Sequence, residues 1–146
     1  MATFIPLISS GVAGPLGVLH LPRLWLKASL EARGKLDSRY PGCGKGFDQM
    51  TLDALGLKRD AVLAYLKDKR PTYPQFEAWI KQQPGVKLDK ATVEKHNAAV
   101  RGYNHDEATR KGILGPNGIP DEGKILDAVR LNDLDSWLEF HDAVLK

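Results

Sequence analysis

Apolar residues recur at intervals of three and four along most of this chain, and glycine and proline separate the segments that carry this pattern. The clearest segment runs from Leu19 to Gly34, where Pro22 suits the start of a helix and Gly34 its left-handed stop. Its apolar face consists of Leu21, Leu24, Trp25, Ala28 and Ala32, and Leu26 and Leu30 widen it. This segment predicts the best-defined helix of the protein.

The remaining helical segments are short, and polar or glycine-containing stretches bound each of them. We expect helices to start at Asp48, Arg59, Thr72, Asp89, Asn104 and Lys124, and a last one at Asn132 or Asp133. No segment alternates apolar and polar residues for long enough to form a strand. The predicted fold class is therefore all-α, a compact single domain of seven or eight short helices with an extended apolar N-terminal arm.

The predicted arm covers residues 1–19, and the predicted helical domain covers residues 20–146. The arm is apolar and rich in glycine and proline, and it shows neither a helical nor an alternating period. Phe4, Ile5, Leu7 and Ile8 would expose apolar surface if the arm were disordered. We therefore expect it to lie over the core or over a partner subunit.

Charge is distributed unevenly along the 146 residues. Residues 1–120 contain 18 Lys and Arg against 11 Asp and Glu, whereas residues 121–146 contain 3 against 7. One interpretation is an acidic C-terminal segment folded back on a basic body. The other is a basic surface for an anionic ligand or for nucleic acid.

Cys43 is the only cysteine, which excludes an internal disulfide and any site that needs several thiolates. The first 22 residues contain no Lys or Arg, so we predict no signal peptide, and glycine and proline interrupt the only long uncharged run. We therefore expect a cytoplasmic protein that does not enter the membrane.

A cationic ladder follows the first helix, because His20, Arg23 and Lys27 recur at three and four residues and lie along one side. This is the strongest candidate for function. It is also typical of a solvated helix flank, with Lys27 beside Glu31.

A glycine-rich loop, residues 42–46, precedes the second helix. Backbone amides of such a loop can bind a phosphate, but the P-loop spacing is absent and a plain glycine turn is favoured. Cys43 is a candidate nucleophile if Lys45 or a histidine lowers its pKa, and otherwise a small buried apolar residue. Asp48 is a further catalytic candidate.

The four histidines match no zinc template, so no metal site and no cofactor is predicted. His105 and Asp106 have the residue types of a general base and its orienting carboxylate, although helix capping by Asn104 and Glu107 explains the segment equally well. Asn97 follows His96 on a helix whose apolar line is formed by Val93, Val100 and Tyr103, so one of the two points into the core.

From about Gly14 to Lys81 the chain resembles a family of small bacterial proteins known only as a domain of unknown function. The matching residues are Gly17 to Leu24, Lys27, Gly34 to Leu36, Cys43, Asp48, Leu55 to Leu57, Phe76 to Ile80, and Asn97. Lys58 departs from the family pattern, in which a helix-capping residue is usual, and so does the Trp25-Leu26 pair. The resemblance implies a helical fold and brings no catalytic residue with it.

The leading functional hypothesis is a binding or regulatory module that holds an anionic small molecule or protein segment. The ligand-binding candidates are His20, Arg23, Lys27, Asn97 and Arg101. A cofactor-independent enzyme is the alternative, with a histidine as general base and Asn97 or Arg23 as the polarising group. Its catalytic candidates are His105, Cys43 and Asp48. A structural oligomeric subunit, such as a homodimer, is a further alternative, and nucleic-acid binding is disfavoured because the basic residues are dispersed.

Overall fold

The computed structural model describes residues 2–146, which form seven α-helices joined by short loops. The helices are α1 (Leu21–Ala32), α2 (Phe47–Leu55), α3 (Arg59–Lys69), α4 (Tyr73–Lys81), α5 (Lys90–Gly102), α6 (Glu107–Leu114) and α7 (Ala128–Phe140), and α7 continues as a π-helical turn, His141–Leu145.

Extended pairing within residues 2–146 is limited to isolated bridges, such as that between Phe4 and Leu36. The all-α prediction is confirmed. Within the same residues no helix combines the length and the apolar character that crossing a membrane requires.

The main core lies among the first four helices. Leu21 and Leu24 of α1, Leu52 and Leu55 of α2, and Phe76 of α4 are fully buried there. A smaller apolar cluster joins α6 to α7 through Ile113, Leu114 and Leu131. Helix α5 packs against both α2 and α7, and so it connects the two clusters.

The helix starts follow local capping chemistry in some places and not in others. Thr72 caps α4 with a reciprocal capping box to Gln75, and Asp89 caps α5, as predicted. The prediction at Asn104 is wrong, because Asp106 accepts the hydrogen bond from Thr109 N. The predicted helix start at Lys124 is also wrong, because the last helix begins at Ala128 with Asp127 as its cap.

The N-terminal arm lies on this chain's own helices. Phe4 exchanges backbone hydrogen bonds with the segment after α1, at Lys35 O (2.7 Å) and Asp37 N (3.1 Å). Ser9 Oγ donates to Asp133 of α7 at 2.9 Å. The arm therefore lies over the core, which is one of the two positions expected for it.

Candidate functional site

A cavity of about 1030 Å³ lies between α2 and α5 and extends to α1 and α7. The two helices run in opposite directions along it, because Phe47 at the start of α2 contacts Tyr103 after the end of α5, with ring centroids 5.6 Å apart. Thr92, Lys95, Ala99 and Tyr103 line it from one face of α5. We call this elongated cavity the α2–α5 groove.

A buried ionic network forms the floor of the α2–α5 groove. The Asp48 carboxylate accepts a hydrogen bond from His20 Nε2 and another from Lys27 Nζ, each at 2.6 Å. Gly44 N donates to the same carboxylate at 2.7 Å. The side chains of His20, Lys27 and Asp48 are 3, 8 and 2% exposed, so this network is shielded from water.

The protonation states of the network follow from its burial. Burial by itself raises the pKa of Asp48, but the hydrogen bond from His20 and the charge of Lys27 outweigh it and lower the pKa to about 2. Burial lowers the pKa of His20 despite the neighbouring carboxylate. At neutral pH the network therefore contains an ionised Asp48 and a neutral His20 that donates through Nε2.

Ser10, His20 and Asp48 have the residue types of a serine-hydrolase triad, but their arrangement differs. The Ser10 hydroxyl lies 2.9 Å from His20 Nδ1, and Asp48 takes the other ring nitrogen. Ser10 is 1% exposed and does not line the groove, so no substrate in the groove reaches its hydroxyl. The three residues therefore fix the orientation of the imidazole rather than attack a substrate.

His20 has a left-handed backbone, with φ at 72°, which is uncommon for a residue other than glycine. Its two ring hydrogen bonds and the buried start of α1 hold it there. Local strain of this kind persists only where the surroundings impose it. The side chain of His20 is therefore held in one position at the floor of the groove.

Arg23 is buried and attaches the N-terminal arm to the helices. Its Nη1 donates to Pro6 O at 2.8 Å and to Ile8 O at 2.9 Å, and its guanidinium carbon lies 5.8 Å from the centre of the Tyr40 ring. Arg23 and Lys27 therefore line the groove as charges already engaged with protein groups. They are not the solvated flank that the sequence alternative describes.

The glycine loop before α2 also binds internal partners. Gly42 N donates to Glu31 and Gly44 N to Asp48, so carboxylates of this chain occupy two amides that a phosphate would otherwise use. A Cβ at Gly42 would lie 2.4 Å from the Glu31 carboxyl carbon, so a larger residue there would displace this carboxylate. Asp48 lies in the first turn of α2 rather than at its cap, because its carboxylate serves the network.

Two further histidines line the groove. His96 Nε2 lies 3.0 Å from Leu19 O, and its Nδ1 is buried without a hydrogen-bond partner among residues 2–146. His105 Nε2 donates to Asn132 Oδ1 at 2.8 Å, and this bond orients the ring. An imidazole oriented in this way has the form that a general base requires.

The open rim of the groove is cationic. Arg39, Lys45, Lys87 and Lys95 line it in addition to Arg23 and Lys27, against three carboxylates, those of Asp48, Asp53 and Asp135. Lysine ion pairs elsewhere in residues 2–146 involve Lys90, Lys111, Lys124 and Lys146, whereas Lys45, Lys87 and Lys95 form none with those residues. Three exposed ammonium groups are thus available to an anion.

The structure brings together five of the eight candidate residues at one groove, namely His20, Arg23, Lys27, Asp48 and His105. Asn97 lies outside it, because its side-chain amide bonds to Leu19 N and Gly17 O and so anchors the loop before α1. Arg101 is exposed on α5 and does not line the groove. Cys43 is buried beside the groove, and burial raises the pKa of its thiol, so it remains protonated and a poor nucleophile.

Sequence reasoning missed most of the groove wall. Tyr40, Phe47, Lys95, Tyr103 and Asn132 lie on four different segments, and no short motif joins them. The signal that could have identified part of the wall is the spacing of Thr92, Lys95, Ala99 and Tyr103, which places them on one face of a helix. Within residues 2–146 no group of three or more His, Cys, Asp or Glu side chains is placed to hold a metal ion.

The fold and the site define an all-α protein with one large, basic groove. Comparison with protein-family models, curated proteins and solved structures finds no match to this chain. The resemblance to the family of unknown function stays a prediction.

The buried network makes stability sensitive to mild acid. Because burial lowers the pKa of His20 below its ordinary 6.5, the unfolded chain takes up a proton there before the folded chain does. The contribution of His20 to the free energy of unfolding is therefore fully present above about pH 6.5. As the pH falls below that value, it decreases by up to about 1.4 kcal/mol per pH unit. We expect urea unfolding between pH 7 and pH 5 to show a shallower decline for His20→Asn than for wild type.

Asparagine is suitable at this position because it tolerates the left-handed backbone. The exposed His141 provides the control, and His141→Asn is expected to retain the wild-type decline. Equal slopes for His20→Asn and wild type would show that His20 is not held neutral.

Proposed function

We propose that this protein binds a small anionic molecule in the α2–α5 groove. The observation that carries the proposal is the set of exposed lysines, Lys45, Lys87 and Lys95, which line one large cavity without ion-pair partners among residues 2–146. Charged side chains that converge on a concave site raise the local concentration of oppositely charged ligands.

The charge balance within the buried network also supports this proposal. Asp48 is already balanced by Lys27 and by the hydrogen bond from His20, so it does not cancel the charge of the rim. The groove-lining His96 has a buried Nδ1 without a partner among residues 2–146, and buried polar atoms without partners mark sites of function or of bound water.

The size and shape of the groove favour a small molecule over a protein segment. A volume of about 1030 Å³ is at the upper end of small-molecule sites. Since α2 spans nine residues, the groove along it is about 13 Å long. This length suits an extended metabolite with its charge at one end.

Titration calorimetry with ribose 5-phosphate and with inorganic pyrophosphate tests this function. We expect binding that weakens as salt rises, and about 10-fold weaker binding in the Lys87→Gln, Lys95→Gln double variant, because each exposed pair contributes up to about 1 kcal/mol.

Lys90→Gln is the matched control, since Lys90 lies on the same helix, is exposed, and pairs with Glu94 away from the groove. An equal loss in Lys90→Gln would indicate nonspecific attraction. Absence of binding by both anions would overturn the proposed anion-binding function.

A further inference from the structure

A row of four rings lines the end of the groove near the start of α2. His20, Phe47, Tyr103 and His105 follow one another with centroid separations of 5.4, 5.6 and 6.3 Å. Phe47 and Tyr103 meet edge to face, with 70° between their planes. We call this row the aromatic wall, and all four of its residues line the groove.

Tyr103 is the exposed part of the aromatic wall. It is 49% exposed, and among the large hydrophobic residues of 2–146 that are exposed to this degree it alone lines the groove. The others lie in the arm or near the C-terminus, and they are Phe4, Leu7, Val12, Trp137, Val144 and Leu145.

The backbone on both sides of Tyr103 is fixed. Its N–H donates to Val100 O at the end of α5, and its carbonyl accepts from Ala128 N at the start of α7, at 2.8 Å. The ring is therefore presented to the groove by an ordered segment rather than by a mobile loop. An aromatic face held in place beside a site is pre-organised to stack on a planar ligand.

The cations of the groove lie at a suitable separation from the aromatic wall. Lys95 lies on the groove side of α5 and precedes Tyr103, which follows the end of that helix, by eight residues, or about 12 Å along the helix axis. Lys45 lies two residues before Phe47, at the aromatic end. A ligand with a ring on the aromatic wall can therefore extend its anionic end along the groove toward Lys95.

We infer that the anion is a nucleotide, a molecule in which a planar heteroaromatic ring and a phosphate are joined by a sugar. The ring stacks on Tyr103, which Phe47 supports from the side, and the phosphate is held by the rim lysines. This inference rests on the proposed anion-binding function and names the ligand class of the same groove. Stacking tolerates any base, so the structure assigns the class of ligand rather than one base.

Calorimetry with matched ligands tests the ring and the phosphate separately. Adenosine 5′-monophosphate and guanosine 5′-monophosphate are compared with ribose 5-phosphate, which has the same anionic end and no ring. We expect at least one nucleotide to bind about 10-fold more tightly than ribose 5-phosphate, because stacking on an aromatic side chain contributes a factor of this size. If ribose 5-phosphate binds as tightly as both nucleotides, the inference fails while the proposed function stands.

Protein variants locate the ring. Tyr103→Leu is expected to reduce nucleotide affinity about 10-fold and to leave ribose 5-phosphate affinity unchanged, and Phe47→Leu to act in the same direction. Trp137→Leu is the control, since Trp137 is 58% exposed and outside the groove. An equal effect of Trp137→Leu, or the same loss for both ligands in Tyr103→Leu, would overturn the assignment of the ring to the aromatic wall.

The ligand comparison does not depend on any variant, so it decides the question even if Tyr103→Leu fails to fold. If neither the nucleotides nor ribose 5-phosphate bind, the proposed function and this inference both fail.

Discussion

Replacing Asp48 by asparagine is expected to destabilise the protein by about 3–5 kcal/mol, which is the usual cost of removing one partner of a buried ion pair. Lys27 would lose its counter-ion in a site where its side chain is 8% exposed. Gly44 N would lose an anionic acceptor, because an asparagine has one carbonyl oxygen in place of two carboxylate oxygens. Urea unfolding at pH 7, followed by circular dichroism, measures the change.

The matched comparison removes both charges. In the Lys27→Met, Asp48→Asn double variant no buried charge is left without a partner, so we expect it to be more stable than Asp48→Asn alone. A cost below 1 kcal/mol for Asp48→Asn would instead match an exposed ion pair. Additive losses in the double variant would mean that Lys27 and Asp48 are not coupled.

Where helix formation depends on local chemistry, the sequence is sufficient to predict it. Thr72 and Asp89 have no competing partners, and each caps the helix predicted for it. Asp48 has the same local appearance, but Lys27 and His20 bind its carboxylate, and they lie 21 and 28 residues away in the sequence. Local sequence rules do not predict whether this carboxylate caps α2 or binds Lys27 and His20.

In the candidate site, too, local spacing could be predicted from the sequence and contacts between distant residues could not. The spacing of His20, Arg23 and Lys27 correctly places them along one side of α1, because helical geometry depends on spacing alone. Their burial could not be predicted from that spacing, since it requires the arm and α7 to cover the helix. The role of Asn97 could not be predicted either, because its side-chain amide forms hydrogen bonds with backbone groups about 80 residues earlier in the chain.

The basic groove emerges only from the packing of α2 against α5. Lys95 in the sequence is one lysine on a polar helix face, and the same is true of Lys90, which pairs with Glu94 and faces solvent. The sequence pattern predicts an apolar line of Val93, Val100 and Tyr103. In the structure Val100 is buried, whereas Tyr103 is exposed to the groove. Helix periodicity identifies faces, but which face meets a cavity depends on the neighbouring helices.

Arg23 is expected to hold the N-terminal arm closed, and Arg23→Met should therefore detach it. The buried carbonyl of Pro6 and the part-buried carbonyl of Ile8 would lose their donor, and at about 1–3 kcal/mol for each unsatisfied group we expect a loss of about 3 kcal/mol in stability. Amide exchange at Phe4 N, which is bonded to Lys35 O at 2.7 Å, reports directly on whether the arm is attached. We expect Arg23→Met to exchange this amide with solvent faster than wild type does. The increase should be larger than for amides in the middle of α1.

Arg101→Met is the control for this experiment, because Arg101 is exposed on α5 and donates no side-chain hydrogen bond to residues 2–146. It should leave both stability and the exchange of Phe4 N at their wild-type values. Arg23→Lys keeps the charge but replaces the planar fork with a single ammonium group, so it should fall between wild type and Arg23→Met. Wild-type protection of Phe4 N in Arg23→Met would mean that the apolar contacts of the arm, rather than this guanidinium, keep it in place.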